Sequence, residues 1–192
     1  MSDVPPKEII IDEDVPMLLS SGALRERFQD EALGEGSIVL ILRDPELTAI
    51  GDLELSDDDD EKTPFFGCKS LLRIDLSGCP KVTSLGAHAF AQCSALVNVS
   101  LPDGLTSLGD VVFFQCRSLE IINIPDSLKE VGDKAFKGCE KLVPSGLDGD
   151  DYDNEKVLSH LREMQKAMSK EGGGVTRMAM AKGECNQNQN NC

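Results

Sequence analysis

Four cysteines, Cys68, Cys93, Cys116 and Cys139, each stand three residues after a phenylalanine, namely Phe65, Phe90, Phe113 and Phe136. Successive cysteines lie 25, 23 and 23 residues apart. A period of this length means that one structural unit recurs, and this restricts the fold more than any other feature of the chain. Such units stack into a solenoid, because no single one can bury its own apolar side chains.

The columns between the cysteines are chemically uniform. Leu71, Leu96, Leu119 and Leu142 form one; Ile74, Val99 and Ile122 the next; then Leu76, Leu101 and Ile124. Val82, Leu105 and Leu128 follow, then Leu85, Leu108 and Val131, and then Gly86, Gly109 and Gly132. Ala89, Val112 and Ala135 precede the phenylalanines.

Within a unit, Ile74-Asp75-Leu76 and Val99-Ser100-Leu101 alternate apolar and polar, the period of a strand with one buried face. Pro102 and Pro125 come directly afterwards. Proline lacks an amide hydrogen, so it ends pairing and opens a turn. A second apolar step runs from Leu105 to Leu108 and stops at Gly109, a residue free to bend. Val112, Phe113 and Cys116 then fit a helical turn with its apolar side inward. One unit therefore reads as strand, turn, short second strand and helical turn, with strands of neighbouring units parallel and ~4.8 Å apart.

A weaker unit lies upstream. Leu40-Ile41-Leu42 matches the strand, and Leu47-Thr48-Ala49-Ile50-Gly51-Asp52 matches Leu105-Thr106-Ser107-Leu108-Gly109-Asp110. Its phenylalanine, Phe65, arrives late, after an insertion at 53–64 that carries the acidic run Asp57, Asp58, Asp59, Asp60 and Glu61. Insertions in one coil emerge as surface loops.

The pattern Leu-x-x-Ile-x-Leu-Pro-x-x-Leu-x-x-Leu-Gly-x-x-Ala-Phe-x-x-Cys resembles the BspA-like, or Treponema pallidum-type, leucine-rich repeats, from about Ser37 to Leu142. The resemblance implies a gently curved solenoid that binds proteins, often at microbial or protist surfaces, and it implies no catalytic residues. The chain departs from the pattern in a longer unit with Cys79-Pro80, in Val112 at an alanine position, and in the acidic insertion.

With 192 residues the chain has room for one domain and its flanks. Its formal net charge of −15 disfavours nucleic acid and anionic membranes as partners and favours basic proteins. Met1 to Asp14 is mostly polar, with Ile9-Ile10-Ile11 as its one apolar cluster, and lacks a positive start followed by an apolar run. The expected location is therefore cytoplasmic, with reduced thiols; a cell-surface location is implied by the resemblance alone. The expected organisation is an N-terminal extension with a helical cap (1–36), the solenoid (37–143), an acidic hinge (144–153), an amphipathic helix (154–171) and a disordered tail (172–192). The cap is placed at Leu24–Leu33, before Gly34 and Gly36. Val157, Leu161, Met164 and Met168 give the C-terminal helix one apolar face, which either folds back over the last coil or awaits a partner.

Chemistry-bearing candidates fall away on inspection. The thiols stand in an inward column beside leucines and phenylalanines, where free cysteine packs as a small apolar group. Their spacing lacks the close pairs of zinc sites. His88 reads as an exposed filler, and His160 lies on the C-terminal helix with no nucleophile to accompany it. Counted from Asp148, the sixth and twelfth positions are Asp153 and Ser159, not the glycine and glutamate that a helix-loop-helix calcium loop needs there. Asn98-Val99-Ser100 is a glycosylation sequon, relevant only to an exported chain. No cofactor and no metal are expected.

What remains is the outward side of the strands. Arg73, Asn98 and Ile121 form one line, and Asp75, Ser100 and Asn123 the next, with Ile41 and Arg43 as extensions. A mixed polar surface of this kind suits protein binding better than a cofactor pocket. The reading is an α+β leucine-rich-repeat solenoid of about four coils with flanking helices. It serves as a non-enzymatic interaction module, the acidic residues Asp57–Asp60 steering a basic protein partner. The alternative is a structural fragment of a larger repeat protein.

Overall fold

A computed structural model describes residues 7–11, 38–43, 45, 47–50, 65–144, 146–147 and 152–170. The expected N-terminal cap at 24–33, the acidic run and the C-terminal tail lie outside the described residues, as does half of the hinge.

Each coil contributes one strand to each of two parallel sheets. The first sheet has the order β1-β2-β4-β6-β8: Lys7–Ile11, Ile38–Leu42, Leu71–Asp75, Asn98–Ser100 and Ile121–Ile122. The second has the order β3-β5-β7-β9: Ala49–Ile50, Ser84–Leu85, Ser107–Leu108 and Glu130–Val131. Every pairing is parallel and the repeats join equivalent positions, as in Ile74↔Val99↔Ile122 and Leu85↔Leu108↔Val131, with one register shift between Ile38 and Val39 where β2 meets β4. The stacked solenoid is thus present, and the weak upstream unit supplies β2 and β3.

β1 is an addition. In the sequence Ile9–Ile11 is only an apolar cluster, but Lys7–Ile11 pairs along its whole length with Ile38–Leu42 and puts a fifth strand at the head of the sheet.

The third side of each coil differs from the expected helical turn. It is a run of tight turns tied to the next coil. His88, Phe90 and Gln92 donate their N–H groups to the carbonyls of Asp110, Val112 and Phe114 at 3.0, 2.9 and 2.7 Å. One coil on, Val111, Phe113 and Gln115 donate to Asp133, Ala135 and Lys137 at 2.8, 2.9 and 2.8 Å. Aiming alternate amides at the next coil takes a left-handed backbone at His88 (φ 58°), Gln92 (60°), Val111 (48°) and Gln115 (56°), which a helix cannot contain. His88 is correspondingly not a loose filler: it is half buried, and its ring lies 6.5 Å from that of Phe66.

The inward columns are dry, Val131 at the end of its column being partly buried. Phe65, Phe90, Phe113 and Phe136 are at most 2% exposed. Their rings stack in sequence at centroid separations of 5.1, 5.6 and 5.6 Å, each contact contributing about 0.5–1.5 kcal/mol beyond the buried area. The glycine column lets the backbones approach closely: a Cβ on Gly109 would stand 2.4 Å from the Ala87 nitrogen. The described cysteines, Cys68, Cys79, Cys93, Cys116 and Cys139, are buried thiols, none of them in a disulfide. Cys93, Cys116 and Cys139 donate their S–H to the carbonyls of Phe65, Phe90 and Phe113 at 3.0, 3.1 and 3.1 Å. Burial, reinforced by the hydrogen bond to Cys68, pushes the Cys93 thiol well above its ordinary pKa of 9.0. Burial pushes Cys116 up to about 12.

The helix α1, Asn154–Lys170, occupies the segment where the apolar spacing predicts one. Asp153 caps it, its carboxylate accepting the Glu155 amide at 2.8 Å. Val157 and Leu161 are buried against the last coil, so the helix folds back and closes the solenoid.

Candidate functional site: the outward face of the first sheet

In β2, β4, β6 and β8 the side chains of Leu40, Ile74, Val99 and Ile122 face the core, and the residues on either side of each face outward. The outward positions fall into two rows in register. One row runs Glu8, Val39, Arg73, Asn98 and Ile121; the other begins Ile10, Ile41, Asp75 and Ser100. The expected lines are therefore brought together on one face. Val39 and Ile41 extend them, whereas Arg43 lies past the end of β2. Asn123 follows β8 on the same side.

The members of these rows are not equally free. Arg73 and Asp75 form an ion pair at 3.3 Å and are half buried. The Asp75 carboxylate also accepts the Ser77 amide and hydroxyl at 3.0 and 2.6 Å, holding the turn after β4. The Asn123 side chain is engaged too. Its Oδ1 accepts the Leu101 N–H at 2.6 Å and its Nδ2 donates to the Leu101 carbonyl at 2.9 Å. It thereby completes a ladder that Leu76 continues one coil earlier by donating to the Ser100 carbonyl at 2.8 Å. Asn98 and Ser100 are half exposed, and their side chains make no hydrogen bond to the described residues.

α1 borders this face at its far end. Between the helix and β8 lies a shallow hollow lined by Ile121, Ile122, Leu142, Leu161, Met164 and Met168, with Glu120 and Gln165 at its rim. The polar residues of the closing segment imitate a further coil. Gln165 Oε1 accepts the Ile124 N–H at 3.0 Å, where another coil would offer a carbonyl. The Tyr152 hydroxyl accepts the Phe136 N–H at 3.0 Å, the bond that Phe90 and Phe113 make to the next coil. Asn154 Nδ2 donates to the carbonyls of Val131 and Gly132 at 3.4 and 2.7 Å, and Arg162 Nη2 donates to Leu128 at 3.1 Å. Buried backbone groups need partners, and these side chains supply them where the array stops.

The sequence reading did not find Ile10, Val39 or Met164 as parts of this surface. The strand signal at Lys7–Ile11 was its run of β-branched residues. The acidic residues Asp57–Asp60 lie outside the described residues. Among the described residues no group of three or more His, Cys, Asp or Glu is placed to hold a metal ion, and no helix is long and apolar enough to cross a membrane.

Two stacked parallel sheets, an inward leucine and phenylalanine core and a side-chain cap define a leucine-rich-repeat solenoid. Residues 61–144 match the family of BspA type leucine rich repeat regions in six copies. No curated protein matches the sequence. Among solved structures, the chain is similar to a leucine-rich-repeat protein of T. pallidum, with 29% identity, a TM-score of 0.46, and coverage of 56% of this chain and 46% of that one. It is also similar to a leucine-rich-repeat protein of Bacteroides ovatus, with 21% identity, a TM-score of 0.38, and coverage of 76% of this chain and 40% of that one. The chain thus spans less than half the length of either structure.

Proposed function

We propose that this protein is a non-enzymatic interaction module that binds another protein on the outward face of its first sheet. Leucine-rich repeats are in general protein-interaction modules. The observation that carries the reading here is the pair of in-register rows, with the side chains of Asn98 and Ser100 uncommitted at their centre. Arg73, Asp75 and Ile121 complete the contact surface, and Asn123 shapes its edge. The acidic residues Asp57, Asp58, Asp59 and Asp60, on a chain of net charge −15, draw in a basic partner.

The test is partner capture with the full chain. Combining Arg73→Ala, Asn98→Ala and Ile121→Ala should abolish capture at equal folded concentration. Changing Asp57–Asp60 to Asn should slow association and flatten its salt dependence, since exposed charges are screened over ~8–10 Å at ordinary ionic strength. Unchanged capture by the combined variant refutes the reading.

A further inference from the structure

We propose that the outward face takes an extended segment of the partner lying across the strands, with the Asn98 amide gripping its backbone and the two ends of the face seating its apolar side chains. The inference rests on the interaction-module reading and specifies the chemistry of the ligand.

The protein holds a peptide unit in this way once already. The Asn123 amide holds both polar groups of Leu101, the N–H at 2.6 Å and the C=O at 2.9 Å. Asn98 carries the same amide on the same face, half buried, and makes no such pair with a described residue. An amide that offers both a donor and an acceptor is complementary to a peptide unit. An extended backbone has such units to give, whereas a helix has spent its own internally.

Both ends of the face expose apolar side chains. Among the described residues, the exposed large hydrophobic side chains are Ile10 at 49% and Met164 at 37%. Ile10 is in register with Ile41 at one end of the face. Met164 borders Ile121 at the other. Between them Arg73 and Asp75 neutralise each other at 3.3 Å, so the matching part of the ligand is polar and uncharged.

Spacing follows from strand geometry. Ile41 and Ile121 lie three strand intervals apart, ~14 Å, and Ile10 lies one interval further, ~19 Å. An extended chain advances ~3.4 Å per residue and shows alternate side chains to one side. The apolar anchors therefore stand four or six positions apart in the ligand.

The experiment uses the full chain and fluorescein-labelled heptapeptides, read by fluorescence polarisation. One set has leucines at positions one and five or one and seven, with serine and asparagine between; the control has the same composition with adjacent leucines. Spaced peptides should bind at least ~10-fold tighter than the control, and Asn98→Ala should lose about 10-fold, the loss of a paired hydrogen bond at a shielded site. Ile10→Ser and Met164→Ser should each weaken the spaced peptides and leave the control unchanged. Asn98→Ala should keep the parent melting temperature, and Asn98→Gln, which misplaces the amide by one methylene, should bind like Asn98→Ala.

Indifference to spacing, full binding by Asn98→Ala, or unfolding of both Asn98 variants overturns the proposal. So does a reversible dimer, seen by sedimentation and lost in Ile10→Ser, which would make a second copy the occupant. Spacing indifference together with partner capture that is still lost in the combined face variant sinks only the extended-peptide mode; unchanged capture sinks the module reading itself.

Discussion

Removing one oxygen atom tests whether the closing segment truly stands in for a coil. Tyr152→Phe deletes the hydroxyl that accepts the Phe136 N–H at 3.0 Å and donates to Asn154 Oδ1 at 2.9 Å. Phe136 is 0% exposed, so water does not readily replace the lost acceptor. A buried N–H left without a partner costs about 1–3 kcal/mol, and the second, half-exposed bond contributes about 1 kcal/mol or less. The expected loss is about 2–3 kcal/mol, local to the last coil because each coil leans only on its neighbours. Hydrogen exchange at the Phe136 amide should accelerate roughly 30-fold or more, while Phe90 and Phe113, which donate to backbone carbonyls, should be far less affected. Because Tyr152 orients Asn154, the double variant Tyr152→Phe/Asn154→Ala should cost less than the sum of the single changes. Acceleration below about threefold at Phe136, or equal acceleration along the whole phenylalanine column, would refute the idea that the hydroxyl replaces a missing carbonyl.

Two further outcomes follow from the core and the turns. Val111 is a β-branched residue at φ 48°, a conformation that costs such side chains ~1–2 kcal/mol. Val111→Asn, which tolerates it, should raise stability by about 1 kcal/mol in urea titration with an unchanged slope. The buried thiols of Cys93 and Cys116 should resist alkylation at pH 8 until the chain unfolds. They also set an alkaline limit. Their folded pKa values lie above the ordinary 9.0, Cys116 at about 12, so the folded state holds protons that the unfolded chain releases. Stability should be complete below pH 9 and fall as pH rises, Cys116 contributing about 1.4 kcal/mol per pH unit up to about 12 and Cys93 acting in the same direction. Replacing Cys116 with Ala should reduce that slope, and an unchanged slope would count against the linkage.

Much of the fold was legible because the repeat shows its own alignment. Columns such as Leu71/Leu96/Leu119/Leu142 state which residues share the interior, and strand register follows from their superposition. The turn side was misread because Val112, Phe113 and Cys116 satisfy the spacing of a helical turn as well as that of tandem turns. What separates the two is the left-handed backbone at Val111 and Gln115, for which neither residue type advertises a preference. β1 was missed because three successive isoleucines do not alternate, and because Lys7–Ile11 lacks the proline and glycine punctuation of the other units. The fate of α1 was left open for a different reason: one apolar face serves a cap and a partner equally well. Gln165, Asn154, Arg162 and Tyr152 decide it, yet their counterparts are main-chain atoms, which no residue column can reveal. On the outward face, the rows were predictable from alternation. The engagement of Asn123 and the freedom of Asn98 were not, because they depend on where one coil's side chain meets the next coil's backbone.

The cap's hydrogen bonds to the last coil fall on main-chain atoms: the amides of Ile124 and Phe136, and the carbonyls of Leu128, Val131 and Gly132. A lid whose hydrogen bonds fall on the peptide chain, and whose apolar side chains meet columns that every unit repeats, asks little of the particular unit it lands on. Duplicating a 23-residue segment within the gene would therefore lengthen the array while leaving its ending intact. Proteins of this architecture can grow or shrink by whole modules without reinventing their termini.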